Sequence, residues 1–462
     1  MAVVPDAVPD AEAASAVQPA DSPPASTGPS AGSTPASAVP SAGSTPASAV
    51  PSADPEPASG RLVLGLALAQ FGVMLSLLTP VMVTLALRVD QIVPKDERGT
   101  ALGQVLSLGA VLALIGNPVF GSLSDRTRVR FGRRRPWLVG GMAVGLAGLL
   151  VVAVGGSVPV LLLGWALAQL GGNAALAATV ASIPDLVPAR QQGKVSGLVG
   201  VTTSLAMVVG TLLANALHDR LALAFVVPGL FGLAGTICLA LVMKDRPAAP
   251  GAFAPYSLRE FLRSFWVSPK RHPDFAWNFA GRFLVFTGVS CVTSYQVYFL
   301  MDRLGYSESE VSGKVAVGTV VMVGAVIIGS LLGGTLSDRS GRRKPYVLGA
   351  SLVLAVGLLL VALAHSFSLF LVAVAVFGFG EGLYLSVDVA LAAAVLPNPE
   401  ESAKDMGVLN IGNALPQSLV PILAPALLAI GGGDENYGAL FLFGGVACVL
   451  GALAVQFIRS VK

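Results

Sequence analysis

The sequence predicts an all-α integral membrane protein with twelve transmembrane helices, arranged as two six-helix halves. Hydrophobic residues make up 54% of the 462 residues and charged residues only 12%, whereas soluble domains carry about 25% charged residues. Apolar runs of about 20 residues, the length that crosses a hydrocarbon core of about 30 Å as a helix, recur along almost the whole chain. A charged loop motif also occurs twice, at matching places in two sets of six runs.

The first 60 residues differ in composition from the rest. Residues 1–60 are rich in Ala, Pro and Ser, and the unit GSTPASAVPSA starts at Gly32 and again at Gly43. Such a segment cannot build a packed core, so we expect a disordered cytoplasmic tail. It has no Lys or Arg before Arg61 and no apolar run, which argues against a secretory signal.

The apolar runs fall into two groups of six. Residues 61–243 form the predicted N-terminal half, residues 244–274 a polar cytoplasmic linker, and residues 275–462 the C-terminal half. The predicted spans are 62–86, 101–123, 137–155, 158–181, 195–217 and 221–243 in the first half, and 275–300, 311–336, 345–364, 368–395, 406–430 and 437–458 in the second.

Lys and Arg residues predict the orientation, because they resist translocation and stay cytoplasmic in short loops. Most of them lie in the loops after the second and eighth spans, in the linker, and at the C-terminus. The opposite end has fewer, namely Arg88, Lys95, Arg98, Arg220 and Arg303. We therefore expect both termini in the cytoplasm of a cell whose plasma membrane holds the protein.

The repeated loop motif supports two equivalent halves. The chain reads GSLSDR from Gly121 and GRRRP from Gly132, and it reads GTLSDR from Gly334 and GRRKP from Gly341. Parallel six-helix repeats of this kind are a known transporter architecture.

This motif resembles the signature of the major facilitator superfamily over the region from Arg61 to Lys462. The resemblance implies a charge network at the cytoplasmic face that steadies the outward-open state and breaks on switching. The residues that would form this gating motif are Asp125, Arg126, Gly132, Arg133, Arg134, Asp338, Arg339, Gly341 and Arg342.

Three stretches are similar to the sucrose–proton symporters and their glycoside-transporting relatives. They are residues 124–136 in the first motif, 75–80 in the first span, and 407–417 in the eleventh. The chain departs from that branch at one position, since Gln169 stands where those symporters carry an acidic residue. This departure argues against a proton site in the fourth span and against sucrose itself as the substrate.

Ionisable residues inside spans are costly to bury, so each is a functional candidate. Glu381 and Asp388 lie seven residues apart in the tenth span, on one helical face. A carboxylate in a poorly hydrated cavity can exchange a proton, as coupling requires. Arg282 in the seventh span is the expected counter-charge. The alternative is a static ion pair that holds helices together.

Polar uncharged residues could hydrogen-bond a solute. Asn410, Asn413 and Gln417 form a stripe along one face of the eleventh span. The further candidates are Gln70, Gln169, Asn173 and Gln296, with Trp165, Tyr295, Tyr298 and Tyr384 as possible stacking partners for a sugar. The same side chains could instead join helices or anchor the membrane interface.

Signatures of other functions are missing from the sequence. It has no P-loop, G-x-S-x-G or H-E-x-x-H motif, and its three cysteines have no disulfide or zinc spacing. We expect no enzyme activity, cofactor, metal or nucleic-acid partner. The leading hypothesis is a monomeric, proton-driven carrier of a sugar or glycoside in the bilayer. The alternatives are an antiporter that exports a drug-like compound or metabolite, and a membrane sensor that transports nothing.

Overall fold

A computed structural model describes residues 57–245, 247, 267–396, 402–431 and 435–461. Within these ranges all regular secondary structure is helical. The predicted disordered tail lies almost entirely outside the described residues.

Twelve helices are long and apolar enough to cross a membrane, as the fold-class prediction requires. They are α1 (Gly60–Asp90), α2 (Arg98–Asp125), α3 (Arg135–Val154), α4 (Val158–Leu186), α5 (Ala189–Ala216), α6 (Leu221–Val242), α7 (Pro273–Asp302), α8 (Glu308–Ser340), α9 (Lys344–Ala362), α10 (Phe367–Ala394), α11 (Ser402–Leu428) and α12 (Tyr437–Gln456).

Helix boundaries extend past the predicted spans at polar ends. The largest difference is at α5, which was predicted from residue 195 and begins at Ala189. Hydropathy locates the part of a helix that lies in lipid, whereas the helix itself continues until a cap or loop ends it. Similarly, α7 begins at Pro273, inside the predicted linker, because proline is well tolerated in the first helical turn.

One helix is locally irregular. In α1 the segment Pro80–Thr84 has π-helical hydrogen bonding. Proline lacks an N–H donor and its ring crowds the preceding turn, so the α-helical ladder cannot pass through it unchanged.

The same helix pairs pack in both halves. In the first half α1 packs on α5 and α6, α4 on α2 and α3, and α3 on α6. In the second half α7 packs on α11 and α12, α10 on α8 and α9, and α9 on α12. The halves meet where α2 packs on α11 and α5 on α8.

The contact between α2 and α11 is close. A β carbon at Gly103 would collide with the carbonyl of Pro421, so only glycine allows this approach. Gly103 lies near the start of α2, away from the arginine-rich loops. The halves are therefore packed tightly toward that end, which we call the arginine-poor end.

Candidate functional site

A cavity of about 170 Å³ lies between the two halves. Its polar lining comes from α4, α7 and α11, and consists of Gln169, Asn173, Thr293, Ser294 and Gln417. Its apolar lining comes from α1, α2 and α4, and consists of Met74, Leu77, Leu78, Val81, Leu106, Ala110, Ala113 and Trp165. No charged side chain belongs to this lining among the residues described.

The cavity amides are partly held by bonds within their own helices. Asn173 Nδ2 donates to Gln169 Oε1 and to the Gln169 carbonyl, both at 2.9 Å. Gln417 Nε2 donates to the Asn413 carbonyl at 3.4 Å. These amides keep further donors and acceptors that could bind a solute.

Trp165 lines the apolar wall of this cavity. Its side chain is fully buried, and its indole N–H has no hydrogen-bond partner in the described part of the chain. A β carbon at Gly109 would collide with the indole ring. Glycine at that position in α2 therefore makes the space that the ring fills.

A buried ion pair joins α7 to α10. The Arg282 Nη2 atom lies 3.1 Å from Asp388 Oδ2, and both side chains are buried. Tyr384 donates its hydroxyl to Asp388 Oδ1 at 3.2 Å. Arg282 thus pairs with Asp388 rather than with Glu381.

The ion pair is linked to the cavity through α11. Arg282 Nε donates to Asn413 Oδ1 at 2.6 Å, and the carbonyl of Asn413 accepts from the cavity residue Gln417. The polar stripe predicted on α11 therefore connects the buried charges with the cavity.

Glu381 has a different environment. Its side chain is partly exposed, and we find no hydrogen bond or ion pair for it with any described residue. It lies about 10 Å along α10 from Asp388, two turns closer to the middle of the helix.

The first copy of the loop motif forms a charge network centred on Arg134. Its buried guanidinium pairs with Asp125 and, through Nε, with Asp185 Oδ2 at 2.9 Å. Arg133 pairs with the other Asp185 oxygen at 2.7 Å. The backbone N–H of Arg134 donates to Asp245 at 2.7 Å. This network ties α2, α4 and the loop after α6 to the start of α3.

The neighbouring motif residues shape the loop. Arg126 Nη1 donates to the Ser122 hydroxyl at 2.6 Å. Gly132 has a φ of 107°, and a β carbon there would collide with the Asp245 carboxylate. Glycine is thus required both by the backbone conformation and by the aspartate behind it.

The second copy of the motif is held differently. Arg343, the counterpart of Arg134, donates to the carbonyl of Ala390, and Lys344 to the carbonyl of Ile458. Arg339 and Arg342 are both exposed, and Gly341 follows the end of α8 with a φ of 62°. The side chain of Asp338 lies outside what the structure describes. Among the described residues, the Arg343 guanidinium thus contacts a backbone carbonyl, whereas that of Arg134 contacts carboxylates.

A second charged cluster joins the two halves at the arginine-poor end. Arg98 at the start of α2 pairs with Asp90 of α1 at 2.6 Å and with Asp302 at the end of α7. Its guanidinium lies 4.7 Å from the ring centroid of Tyr298, and Tyr437 of α12 donates its hydroxyl to Asp302. These bonds join α1 and α2 to α7 and α12 at this end.

Sequence reasoning missed this cluster. Arg98 and Asp302 were assigned to loops because they lie at the ends of spans, yet both side chains are less than 7% exposed. The sequence does place both residues at span ends on the same side of the membrane. Their pairing depends on how the halves pack, which the sequence does not state.

Several predicted binding residues lie away from the cavity lining. Gln70 Nε2 donates to Thr203 at 3.5 Å, and Gln296 is buried outside the lining. Asn410 is exposed and also outside it. The hydroxyls of Tyr295 and Tyr298 donate to the backbone carbonyls of Pro421 and Ala86, at 3.3 and 3.0 Å. Both tyrosines therefore join helices.

Solved transporter structures share this architecture. The nucleoside transporter NupG aligns with a TM-score of 0.70 at 14% identity, covering 86% of this chain and 99% of that one. A D-xylose–proton symporter aligns with a TM-score of 0.67 at 16% identity, covering 87% and 98%. A bacterial homologue of the human lysosomal transporter Spinster, described as inward-facing and unoccupied, aligns with a TM-score of 0.62 at 16% identity, covering 86% and 94%.

Similar sequences cover shorter stretches. An uncharacterized symporter of Synechocystis sp. is 55% identical over 40 residues, which are 9% of this chain and 7% of that protein. Multidrug resistance protein 3 of Bacillus subtilis is 32% identical over 111 residues, which are 24% of this chain and 21% of that protein.

The sequence profile of the Major Facilitator Superfamily matches residues 62–331 and 279–462, which together include all twelve helices. Two similar halves enclose a cavity, and the characteristic loop follows the second helix of each half. The chain belongs to the Major Facilitator Superfamily, a family of membrane transporters.

Proposed function

We propose that this transporter is a proton-coupled symporter of a small neutral solute, with a sugar or glycoside as the favoured class. The solute would bind in the cavity between the halves, and the halves would rock to open it to each side in turn. Asp388 and Glu381 are the proposed proton-carrying groups, and Arg282 is the counter-charge.

The observation that carries this proposal is the chain of contacts from Asp388 through Arg282 and Asn413 to Gln417 in the cavity wall. Protonation of Asp388 would release Arg282 from its ion pair. The hydrogen bond from Arg282 to Asn413 would then change, and with it the position of the cavity amides. Solute binding and proton binding would therefore influence each other, as symport requires.

The lining of the cavity supports a neutral solute. A charged solute in this cavity would need a counter-charge in the lining, and the described lining has none. Amides and hydroxyls can bind sugar hydroxyls, while the facing wall of Met, Leu, Val and Trp side chains suits an apolar ring face or aglycone. The similarity of three sequence stretches to the sucrose symporter branch favours the same class.

Export is the second candidate, supported by the partial match to Multidrug resistance protein 3 of Bacillus subtilis. A drug-exporting antiporter also needs a proton-carrying acid, and Glu381, which lies outside the cavity lining and has no partner among the described residues, is a candidate for that role. Direction of transport separates the two candidates.

The test is transport by purified protein in proteoliposomes. With an inward proton gradient, we expect radiolabelled sucrose or an aryl glucoside to accumulate above its external concentration, and a protonophore to abolish the accumulation. Proton-driven movement of ethidium in the opposite direction, without sugar uptake, would favour export. No movement of either class would contradict the proposed symport of sugars.

A further inference from the structure

Asn278 on α7 is a buried polar side chain that the contacts described so far leave unused. Its side chain is 1% exposed, and neither its amide oxygen nor its amide nitrogen has a hydrogen-bond partner in the described chain. Leaving a buried amide without partners costs about 1 to 3 kcal/mol for each group. A buried group of this kind needs an explanation.

The surroundings of Asn278 offer an explanation for its buried amide. It lies one helical turn before Arg282, on the same face of α7. Arg282 Nη1 is also buried without a hydrogen-bond partner among described residues, while Arg282 Nη2 is engaged in the ion pair with Asp388 Oδ2. Two polar groups with open hydrogen-bonding atoms, the Asn278 amide and Arg282 Nη1, thus lie one turn apart on α7, beside the ion pair with Asp388.

Asn278 lies on the side of the ion pair that faces the arginine-rich loops. It is five residues into α7, or about 8 Å from the start of the helix, whereas Arg282 is about 14 Å from it. An apolar cluster packs between the helices near this end. Its buried members are Phe275, Ala392, Val408 and Leu409.

We propose that Asn278 holds a water molecule that carries the proton between Asp388 and the arginine-rich end. An amide and a guanidinium N–H supply the two to four polar partners that a buried water needs. On release, the O–H bond of the Asp388 carboxylic acid breaks, and its proton passes to this water and on to bulk solvent. The resulting carboxylate pairs with Arg282, as seen in this structure. Asn278 is then a positioning residue, and Phe275 with its neighbours forms a plug that limits proton leak.

This inference rests on the proposed proton coupling at Asp388. The remaining charged or titratable groups described at the ion pair are Arg282 on α7 and Tyr384 on α10, while α11 contributes the neutral Asn413. A change confined to Asn278 would therefore act on the route and leave the ion pair in place.

The test is infrared spectroscopy of the full-length protein reconstituted in lipid. A carboxylic acid C=O band that appears on acidification and is missing in Asp388→Asn reports the protonation of Asp388, and its shift after transfer to D2O reports proton exchange. We expect Asn278→Leu to slow this exchange by about tenfold and Phe275→Ala to accelerate it. Asn278→Ser, which can still hold a water, should stay near the wild-type rate.

The control is Ser290→Ala, because Ser290 is a buried α7 residue whose hydroxyl also lacks a hydrogen-bond partner among the described residues, but it lies about 12 Å beyond Arg282 along the helix, on the side away from Asn278. It should leave the exchange rate unchanged. Wild-type exchange in a folded Asn278→Leu protein that keeps the Asp388 band would overturn this inference and leave the proposed symport intact. If no such band appears at any pH at which the protein stays folded, coupling at Asp388 and this inference both fail.

Discussion

The bond between Arg98 and Asp302 holds the two halves together at the arginine-poor end, so weakening it should favour opening there. Asp302→Asn keeps the shape of the side chain and removes its charge. Arg98 still has Asp90 as a partner, so the substitution leaves no isolated buried charge. The amide oxygen can accept from Arg98 or from Tyr437, which both contact Asp302 now.

The expected magnitude follows from these bonds. Hydrogen bonds to a charged group contribute about 1.5 to 3 kcal/mol and neutral ones about 0.5 to 1.5 kcal/mol. Asp302→Asn should therefore weaken the closed state by about 1 to 2 kcal/mol. This shifts the equilibrium between closed and open by a factor of about 5 to 30.

Labelling of an introduced cysteine measures this shift. Ala113→Cys places a thiol in the lining of the cavity, and a membrane-impermeant maleimide added on the side of the arginine-poor end reaches it only when that end opens. Asp302→Asn should raise its labelling rate by the same factor. Arg303→Gln is the matched control, because Arg303 is an exposed residue at the same end that contacts His365. An unchanged rate in a folded Asp302→Asn protein would refute the assigned role of this bond.

Two further predictions concern the motif and the cavity. Arg134→Gln should lower the melting temperature strongly, because it removes charge-assisted hydrogen bonds to Asp125 and Asp185 worth about 1.5 to 3 kcal/mol each before solvent screening of these partly exposed carboxylates. Arg343→Gln, which loses a hydrogen bond to a backbone carbonyl, should lower it less. Equal losses would contradict this difference between the two motif copies. Gln417→Leu should raise the KM for the transported sugar about fivefold, which is the effect of losing one neutral hydrogen bond of about 1 kcal/mol. Gln70 lies outside the cavity lining, so Gln70→Leu should leave the KM unchanged. The same KM in both variants would argue against Gln417 as a binding residue.

The helices could be predicted from the sequence because the bilayer imposes their length and composition. Ten of the twelve predicted spans begin within three residues of the observed helix; the starts of α5, at Ala189, and α11, at Ser402, differ more, because polar turns extend these helices beyond the apolar run. The polar segments between the apolar runs mark the loops, because non-helical backbone is not tolerated where it faces lipid.

The candidate site was predictable only in part. Arg282 and Asp388 were found because ionisable residues inside an apolar run are rare. Which acid pairs with Arg282 depends on the rotation and depth of α7 and α10, and the sequence alone left both acids possible. Asn278 escaped notice because a neutral amide near a helix start looks ordinary until its burial is known.

Residues at helix ends were the hardest to interpret. Arg98 and Asp302 lie 204 residues apart in the sequence, in α2 and α7, and nothing in their local patterns indicates that they meet. Their contact is a product of the packing between halves. The position of Gln296 also depends on how the helices pack. The sequence suggested it as a binding residue, and it lies outside the cavity lining.

The central claim, that an acid on α10 couples proton movement to solute movement, is tested most directly by comparing accumulation with exchange in the same proteoliposomes. Asp388→Asn or Glu381→Gln should abolish sugar accumulation driven by a proton gradient, while exchange of labelled for unlabelled sugar continues, because exchange needs no net proton transfer. If both variants, and the double variant, still accumulate sugar against its gradient as the wild type does, then neither acid couples transport and the account is contradicted.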